Sequence, residues 1–96
     1  MSLPNEITVV LDVDQGCIDT GEAMEAGYCP VALSIRHLMP DAWSVCVETE
    51  TARFKHPIYA GCAARLPEEV SDFVKKFDNG EEVEPQTFTI CFRTQI

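Results

Sequence analysis

Apolar and polar residues alternate at the start of the chain. In EITVVLDVD, residues 6–14, one face of an extended chain would carry Ile7, Val9, Leu11 and Val13. Successive side chains of a strand point to opposite faces, so this period of two predicts a half-buried β-strand. The Gly-punctuated segment 15–28 follows. It has two interpretations, an ordered loop or a short helix capped by Asp19 or Thr20 and running to Ala26.

Apolar residues at helical spacing mark two later segments. The first, CPVALSIRHLMP at 29–40, has Pro30 where a first-turn proline is tolerated and Pro40 where the run closes. Its apolar positions are Val31, Ile35, Leu38 and Met39. The second, AARLPEEVSDFVKKFDNG at 63–80, carries a stripe of Leu66, Val70, Phe73, Val74 and Phe77. Both segments are therefore predicted to contain amphipathic helices.

Two further regions alternate as strands do. Residues 42–60 read as a β-hairpin, and Pro57 is expected to place its second arm at the edge of a sheet. Residues 84–94 end the chain with a strand whose buried face would carry Phe88, Ile90 and Phe92.

The order strand, helical region, strand, strand, helix, strand predicts a single α+β domain over residues 1–96. This βαββαβ pattern is typical of a ferredoxin-like sandwich, with a four-stranded antiparallel sheet and two main helices on one face. Right-handed crossovers would place the helices together.

Composition narrows the class of protein. No segment has the 18 or more apolar residues of a membrane helix, and the first residues lack a signal-peptide pattern, so a cytoplasmic protein is expected. The formal charge of -9 would repel a phosphate backbone, which argues against direct nucleic-acid binding. The chain is expected to be a monomer or a homodimer, and one route to a dimer is edge pairing through residues 53–59.

Acidic residues concentrate in two predicted turns. The turn of the hairpin and the segment 78–85 would together present an acidic rim of Glu48, Glu50, Asp78, Glu81, Glu82 and Glu84. Such a rim can dock on a basic protein surface, such as the nucleic-acid groove of another protein. The alternative is that these carboxylates belong to solvated loops and only keep the protein soluble.

The five cysteines are odd in number, which favours reduced thiols over a disulfide framework. Cys46 and Cys91 lie in strand-like runs, where free cysteine commonly behaves as a small buried residue. Cys29 precedes a helix, whose dipole and free N–H groups favour a thiolate. Its Cys-Pro pair also resembles the motif of TusA/SirA sulfur carriers, which implies persulfide transfer from Cys29. We favour the simpler interpretation of Cys29 as a structural core residue.

No other constellation predicts catalysis. The chain lacks a C-x-x-C, an H-x-x-x-H and a Gly-rich phosphate loop, so no metal, no cofactor and no enzyme activity are predicted. Asp12 and Asp14 lie two residues apart at the end of the first strand and would share a face, where they could bind a cation or a proton between them.

The segment from about residue 28 to 92 resembles short uncharacterised proteins of actinobacterial and phage genomes. The shared features are a Cys-Pro-Val-Ala-Leu helix start, a Leu-Pro helix, a Phe-Asp-x-Gly-Glu turn and a Glu-Pro-x-x-Phe strand. The resemblance implies a phage-type accessory protein acting in the host cytoplasm, and it assigns no activity. Together with the charge, it predicts a small acidic binding module, in its sharpest form an anti-defence inhibitor. The alternative function is a sulfur carrier or redox switch acting through Cys29.

Overall fold

An antiparallel sheet and three helices form a mixed α+β fold, described by a computed structural model over residues 5–95. The elements in chain order are β1 (Glu6–Val13), α1 (Gln15–Thr20), α2 (Pro30–Leu38), β2 (Trp43–Val47), β3 (Thr51–His56), β4 (Ala60–Arg65), α3 (Glu68–Asp78) and β5 (Gln86–Thr94). The strand order in the sheet is β1-β5-β4-β3-β2. Every neighbouring pair is antiparallel. Within residues 5–95, no helix is long and apolar enough to cross a membrane.

The core lies between the helices and one face of the sheet. The alternation predicted for the first and last strands is confirmed, since Leu11 and Phe92 are fully buried while their chain neighbours are exposed. Phe92 packs edge-to-face on Phe54 of β3, with 5.0 Å between ring centroids. Phe73 of α3 packs on Phe88 of β5 in the same way at 5.5 Å. Each fully buried side chain of this size contributes about 1.5–3 kcal/mol to folding.

The sheet has five strands, so the prediction of four strands is wrong and the ferredoxin-like arrangement is not confirmed. The predicted second arm of the hairpin is broken at Pro57, and a new strand, β4, begins at Ala60. The first three residues of the segment 63–80, in which a helix is predicted, form the end of β4, and the helix begins at Glu68. Alanine favours helices in isolation, but pairing with β3 and burial of alternate residues override that preference here.

The predicted edge strand is also wrong, because β3 lies between β2 and β4. Residues 53–56 of β3 are therefore paired on both sides, and Pro57 lies in the turn that follows. A homodimer through residues 53–59 has no free edge to use. The sheet edges are β1 and β2, and the carbonyl of Ala26 accepts a hydrogen bond of 2.7 Å from the N–H of Val47 in β2.

The sheet consists of two ladders that meet at a narrow junction. Eight residue pairs join β1 to β5, and six join β3 to β4. Only Cys62–Thr94 and Ala63–Arg93 pair β4 with β5. The N–H of Gln95 extends this junction by donating to the carbonyl of Gly61 at 2.9 Å. Beyond Ala63–Arg93 the two strands are not paired, and a cleft lies there on the uncovered face of the sheet.

The short Gly-punctuated segment is part helix and part loop. The helix begins at Gln15 and ends at Thr20, and residues 21–29 form turns. The predicted caps Asp19 and Thr20 are therefore wrong, because the N-cap is Asp14.

Replacing Phe92 tests the core. We expect Phe92→Ala to lower the free energy of unfolding by about 3–5 kcal/mol, because the lost ring leaves a cavity beside Phe54. Urea denaturation measures this change. Thr89→Ala, on the exposed face of the same strand, is the control and should change stability by less than about 0.5 kcal/mol. Equal losses in the two variants would contradict the packing described here.

Candidate functional site

Asp14, Cys17 and His37 form a small polar cluster where β1 ends and α1 begins. Asp14 caps α1 by accepting a hydrogen bond from the backbone N–H of Cys17 at 2.9 Å. This bond is the main reason that the pKa of Asp14 is lowered from its usual value. Gly21 ends the helix and allows a close approach, since a Cβ there would lie 2.8 Å from Pro30 of α2. The two helices therefore meet with almost no space between them.

This approach brings Cys17 against His37, near the end of α2. The Sγ of Cys17 lies 3.6 Å from Nδ1 of His37. Burial, together with the neighbouring Asp14, raises the pKa of the Cys17 thiol to about 11. The thiol is therefore protonated at neutral pH, and a protonated thiol can donate to the imidazole. The arrangement is suited to tying α1 to α2 and poorly suited to nucleophilic attack, which needs a thiolate.

The sequence pattern did not predict the contact between Cys17 and His37. The two residues are 20 positions apart, and neither belongs to a recognised ligand or catalytic spacing. Their meeting depends on the angle between α1 and α2, which Gly21 permits and which no periodicity encodes. The one sign in the sequence was Asp14, because an aspartate is a common N-cap and Cys17 follows it by three residues, in the first turn of the helix.

Cys29 is the N-cap of α2, as its position before Pro30 suggested. Its side chain is 2% exposed. Burial raises the pKa of the Cys29 thiol, while the nearby backbone N–H groups of Ala32 and Val31 act in the opposite direction. Because burial dominates, this geometry supports a protonated structural thiol and gives no support to persulfide transfer from Cys29.

Three residues of the predicted acidic rim lie together. Glu81, Glu82 and Glu84 line a cleft between α3 and the start of β5, together with Glu69 and Asp72 of α3. We call this cleft, which carries five carboxylates, the α3 cleft. Lys76 is the one basic residue that lines it. The sequence did not predict that Glu69 and Asp72 would join the cleft, although their spacing of three places them on one helix face.

The other half of the predicted rim lies elsewhere. Asp78 and Glu48 line a second cleft with Glu25 and Cys29. Asp78 accepts a hydrogen bond from the N–H of Met24 at 2.9 Å, so it also holds the loop after α1. These partners give Asp78 a structural role within the fold.

Glu48 and Glu50 belong to the turn between β2 and β3. Glu48 forms an ion pair of 3.4 Å with Arg53, and the backbone carbonyl of Glu50 accepts from the N–H of Leu66 at 2.8 Å. The hydroxyl of Ser71 in α3 donates to the carbonyl of Thr49. The turn between β2 and β3 is thus docked on the N-terminal half of α3. The α3 cleft lies elsewhere, because it includes the segment that follows the C-terminal end of α3.

The Asp12 and Asp14 pair is not held together as a site. Asp12 lies in β1 opposite Thr87 of β5, whereas Asp14 has left the strand to cap α1. Within the described residues 5–95, no group of three or more His, Cys, Asp or Glu side chains is arranged to hold a metal ion.

Comparisons with protein-family models, with curated proteins and with solved structures found no match for this chain. The geometry and charge of its own residues are therefore the basis for assigning a function.

Cysteine labelling tests this arrangement. The five thiols are free, and they differ in exposure. At pH 7 under limiting alkylation, we expect Cys91 to react first and Cys46 second, because only these two are at least partly exposed. Cys17, Cys29 and Cys62 should react only after denaturation, as mass spectrometry of tryptic peptides would show. Early labelling of Cys29 would contradict the structural role given to it here.

The raised pKa of the Cys17 thiol predicts that the free energy of unfolding depends on pH. Its pKa in the folded protein, about 11, lies above its ordinary value of 9.0. The stability contributed by the protonated thiol should therefore be complete below pH 9 and decline as pH rises toward 11. We expect the difference in free energy of unfolding between wild type and Cys17→Ala to shrink over this range in urea titrations. A constant difference from pH 8 to 11 would contradict the prediction.

Proposed function

We propose that the protein is a non-enzymatic binding module whose α3 cleft docks on a basic surface of a partner protein. The observation that supports this is the convergence of Glu69, Asp72, Glu81, Glu82 and Glu84 on one cleft. Two of these five residues belong to α3, and the other three belong to the loop between α3 and β5. The tertiary fold places a helix face and the following loop on opposite walls.

The charges of this cleft are available to a partner. Within residues 5–95, the only ion pair found joins Arg53 to Glu48, outside the α3 cleft. All five carboxylate residues are exposed. Their mutual repulsion is relieved when Lys or Arg side chains approach, and this attraction also accelerates the encounter between the two proteins.

The apolar floor of the cleft adds contact area to the charge. Phe73 and Phe77 of α3 line the cleft, as do Ile18 and Val83. Phe77 and Val83 are partly buried, so a partner side chain that enters the cleft can contact apolar atoms below the carboxylates. An arginine meets both requirements, because its guanidinium pairs with carboxylates while its stem packs on apolar surface.

The partner class follows from this chemistry. A surface rich in arginine and lysine is the surface that nucleic-acid-binding proteins present to phosphates. The resemblance to phage-type accessory proteins makes a host nucleic-acid-processing enzyme the specific partner in this proposal, and the protein would act in the host cytoplasm by occupying its groove. The carboxylate of Asp78 holds the loop after α1, and Glu48 pairs with Arg53 in the turn that also contains Glu50, so the docking residues are the five of the α3 cleft.

Affinity capture from a host lysate tests the proposal. We expect wild type to retain a basic partner at low salt and to release it at about 0.5 M salt, where the screening length falls to a few ångströms. The triple variant Glu81→Gln, Glu82→Gln, Glu84→Gln should lose the same partner. Adding purified wild type should also displace nucleic acid from that partner in a gel-shift assay.

The matched control changes net charge equally at a different place. The triple variant Asp12→Asn, Glu22→Gln, Asp41→Asn removes three exposed carboxylates outside the α3 cleft. It should retain the partner as wild type does. If both triple variants lost the partner equally, net charge and not the α3 cleft would explain binding, which would contradict the proposal. Capture of a partner without displacement of its nucleic acid would contradict the proposed mode of action.

A further inference from the structure

The face of the sheet opposite the helices is basic, although the chain carries a formal charge of -9. Three of the four arginines, Arg53, Arg65 and Arg93, line one cleft on this face. They come from β3, β4 and β5, which are consecutive strands of the sheet. We call this feature the arginine cleft. It begins at Ala63–Arg93, a pair of the junction between β4 and β5, and extends to Arg65 and Cys91 beyond that pair.

The register of the sheet explains how the arginines converge. Arg53 pairs with Ala63, and Ala63 pairs with Arg93, so the three residues form one row across the strands. The Cα atoms of the two arginines are thus about 10 Å apart, with one strand between them. Ala63 is too small to fill the space between their side chains. Arg65 lies two residues further along β4, on the same exposed face.

The walls of the cleft add hydrogen-bonding groups and two opposing charges. Thr51 and Cys91 line it beside the arginines. Glu6 pairs with Arg93 in the strand register, and Glu48 forms the 3.4 Å ion pair with Arg53. Arg65 makes no ion pair within residues 5–95. Guanidinium groups outnumber carboxylates here by three to two, whereas the chain as a whole has 16 acidic and 7 basic residues.

We propose that the arginine cleft binds a small molecule that carries a phosphate group. Planar guanidinium groups donate paired hydrogen bonds to phosphate oxygens, and three of them surround the open floor at Ala63. A phosphate seated there also meets the Thr51 hydroxyl. Its dinegative charge displaces the carboxylate of Glu48 from Arg53, because it offers more charge and more acceptor oxygens to the same guanidinium.

The acidic remainder of the molecule selects for a small ligand. The Debye length at physiological ionic strength is about 8 Å, so a ligand confined to the cleft interacts chiefly with the arginines. A polynucleotide would extend past the cleft, over a surface dominated by carboxylates, and would be repelled. This distinction separates a small phosphate compound from a nucleic-acid strand that offers the same chemical group. The site is independent of the α3 cleft.

Titration with inorganic phosphate and with pyrophosphate, followed by amide NMR at low salt, tests this inference. We expect saturable shifts at residues 51–53, 63–65 and 91–93, with the tighter binding for pyrophosphate. Arg65→Gln should weaken binding about tenfold, which corresponds to about 1.4 kcal/mol. Glu48→Gln should strengthen binding, because it frees Arg53 from its ion pair.

Lys75→Gln is the matched control, since it removes the same unit charge from an exposed position on α3. It should leave the pyrophosphate affinity unchanged, and the amide spectra report whether each variant is folded. Equal weakening by Lys75→Gln and Arg65→Gln, or an absence of saturable shifts with pyrophosphate, would overturn the proposal. Tighter binding of a short thymidine oligonucleotide than of pyrophosphate would overturn the assignment to a small ligand.

Discussion

The pairing of the first strand with the last is the contact on which the rest of the structure depends. β1 and β5 join residues 6–13 to residues 86–93 in one continuous antiparallel register. Closing a loop of this length costs conformational entropy that local contacts do not repay. Burial of both strands against the helices compensates for that cost, since the aromatic side chains of β5 and the aliphatic side chains of β1 belong to one core cluster. The intervening chain must then form its own ladder and meet β5 from the other side.

That second ladder meets the first through only two residue pairs, and this shapes the exposed face of the sheet. If β4 and β5 were paired along their whole length, this face of the sheet would be continuous. The two strands pair only at Cys62–Thr94 and Ala63–Arg93, so an opening remains where the arginines of three strands converge. The helical side of the molecule carries the α3 cleft, with its five carboxylates. Carboxylates therefore predominate in the α3 cleft and guanidinium groups in the arginine cleft, a difference that the net charge of -9 does not reveal.

The cysteines illustrate how burial decides chemistry. Cys29 stands at a helix N-terminus, a position that favours a thiolate, yet it is 2% exposed and its pKa is raised. Cys17 is buried beside an aspartate and has its pKa raised to about 11. Cys91, expected to be buried within its strand, is exposed because its neighbours Ile90 and Phe92 occupy the core face. In each case the environment of the thiol, and not its place in a motif, sets its reactivity.

The sequence by itself determined the elements in which apolar residues repeat strongly. β1, α2, the β2–β3 hairpin, α3 and β5 all follow from such patterns, because each buries one face of its own segment. Weakly patterned β4 was missed, since its small residues bury little and its pairing with β3 is a contact between strands. The mixed α+β class was predicted; the fifth strand and the position of β3 inside the sheet were not.

The composition of the two clefts depended on tertiary structure more than the secondary-structure elements did. Sequence proximity grouped Glu81, Glu82 and Glu84 correctly, but only the orientation of α3 added Glu69 and Asp72 and separated Glu48. The arginines of the basic face are 12 to 40 residues apart along the chain, and strand register alone places them in one cleft. Periodicity reports which face of an element is buried. It carries no information on which distant segments share a surface, because that depends on how the elements pack.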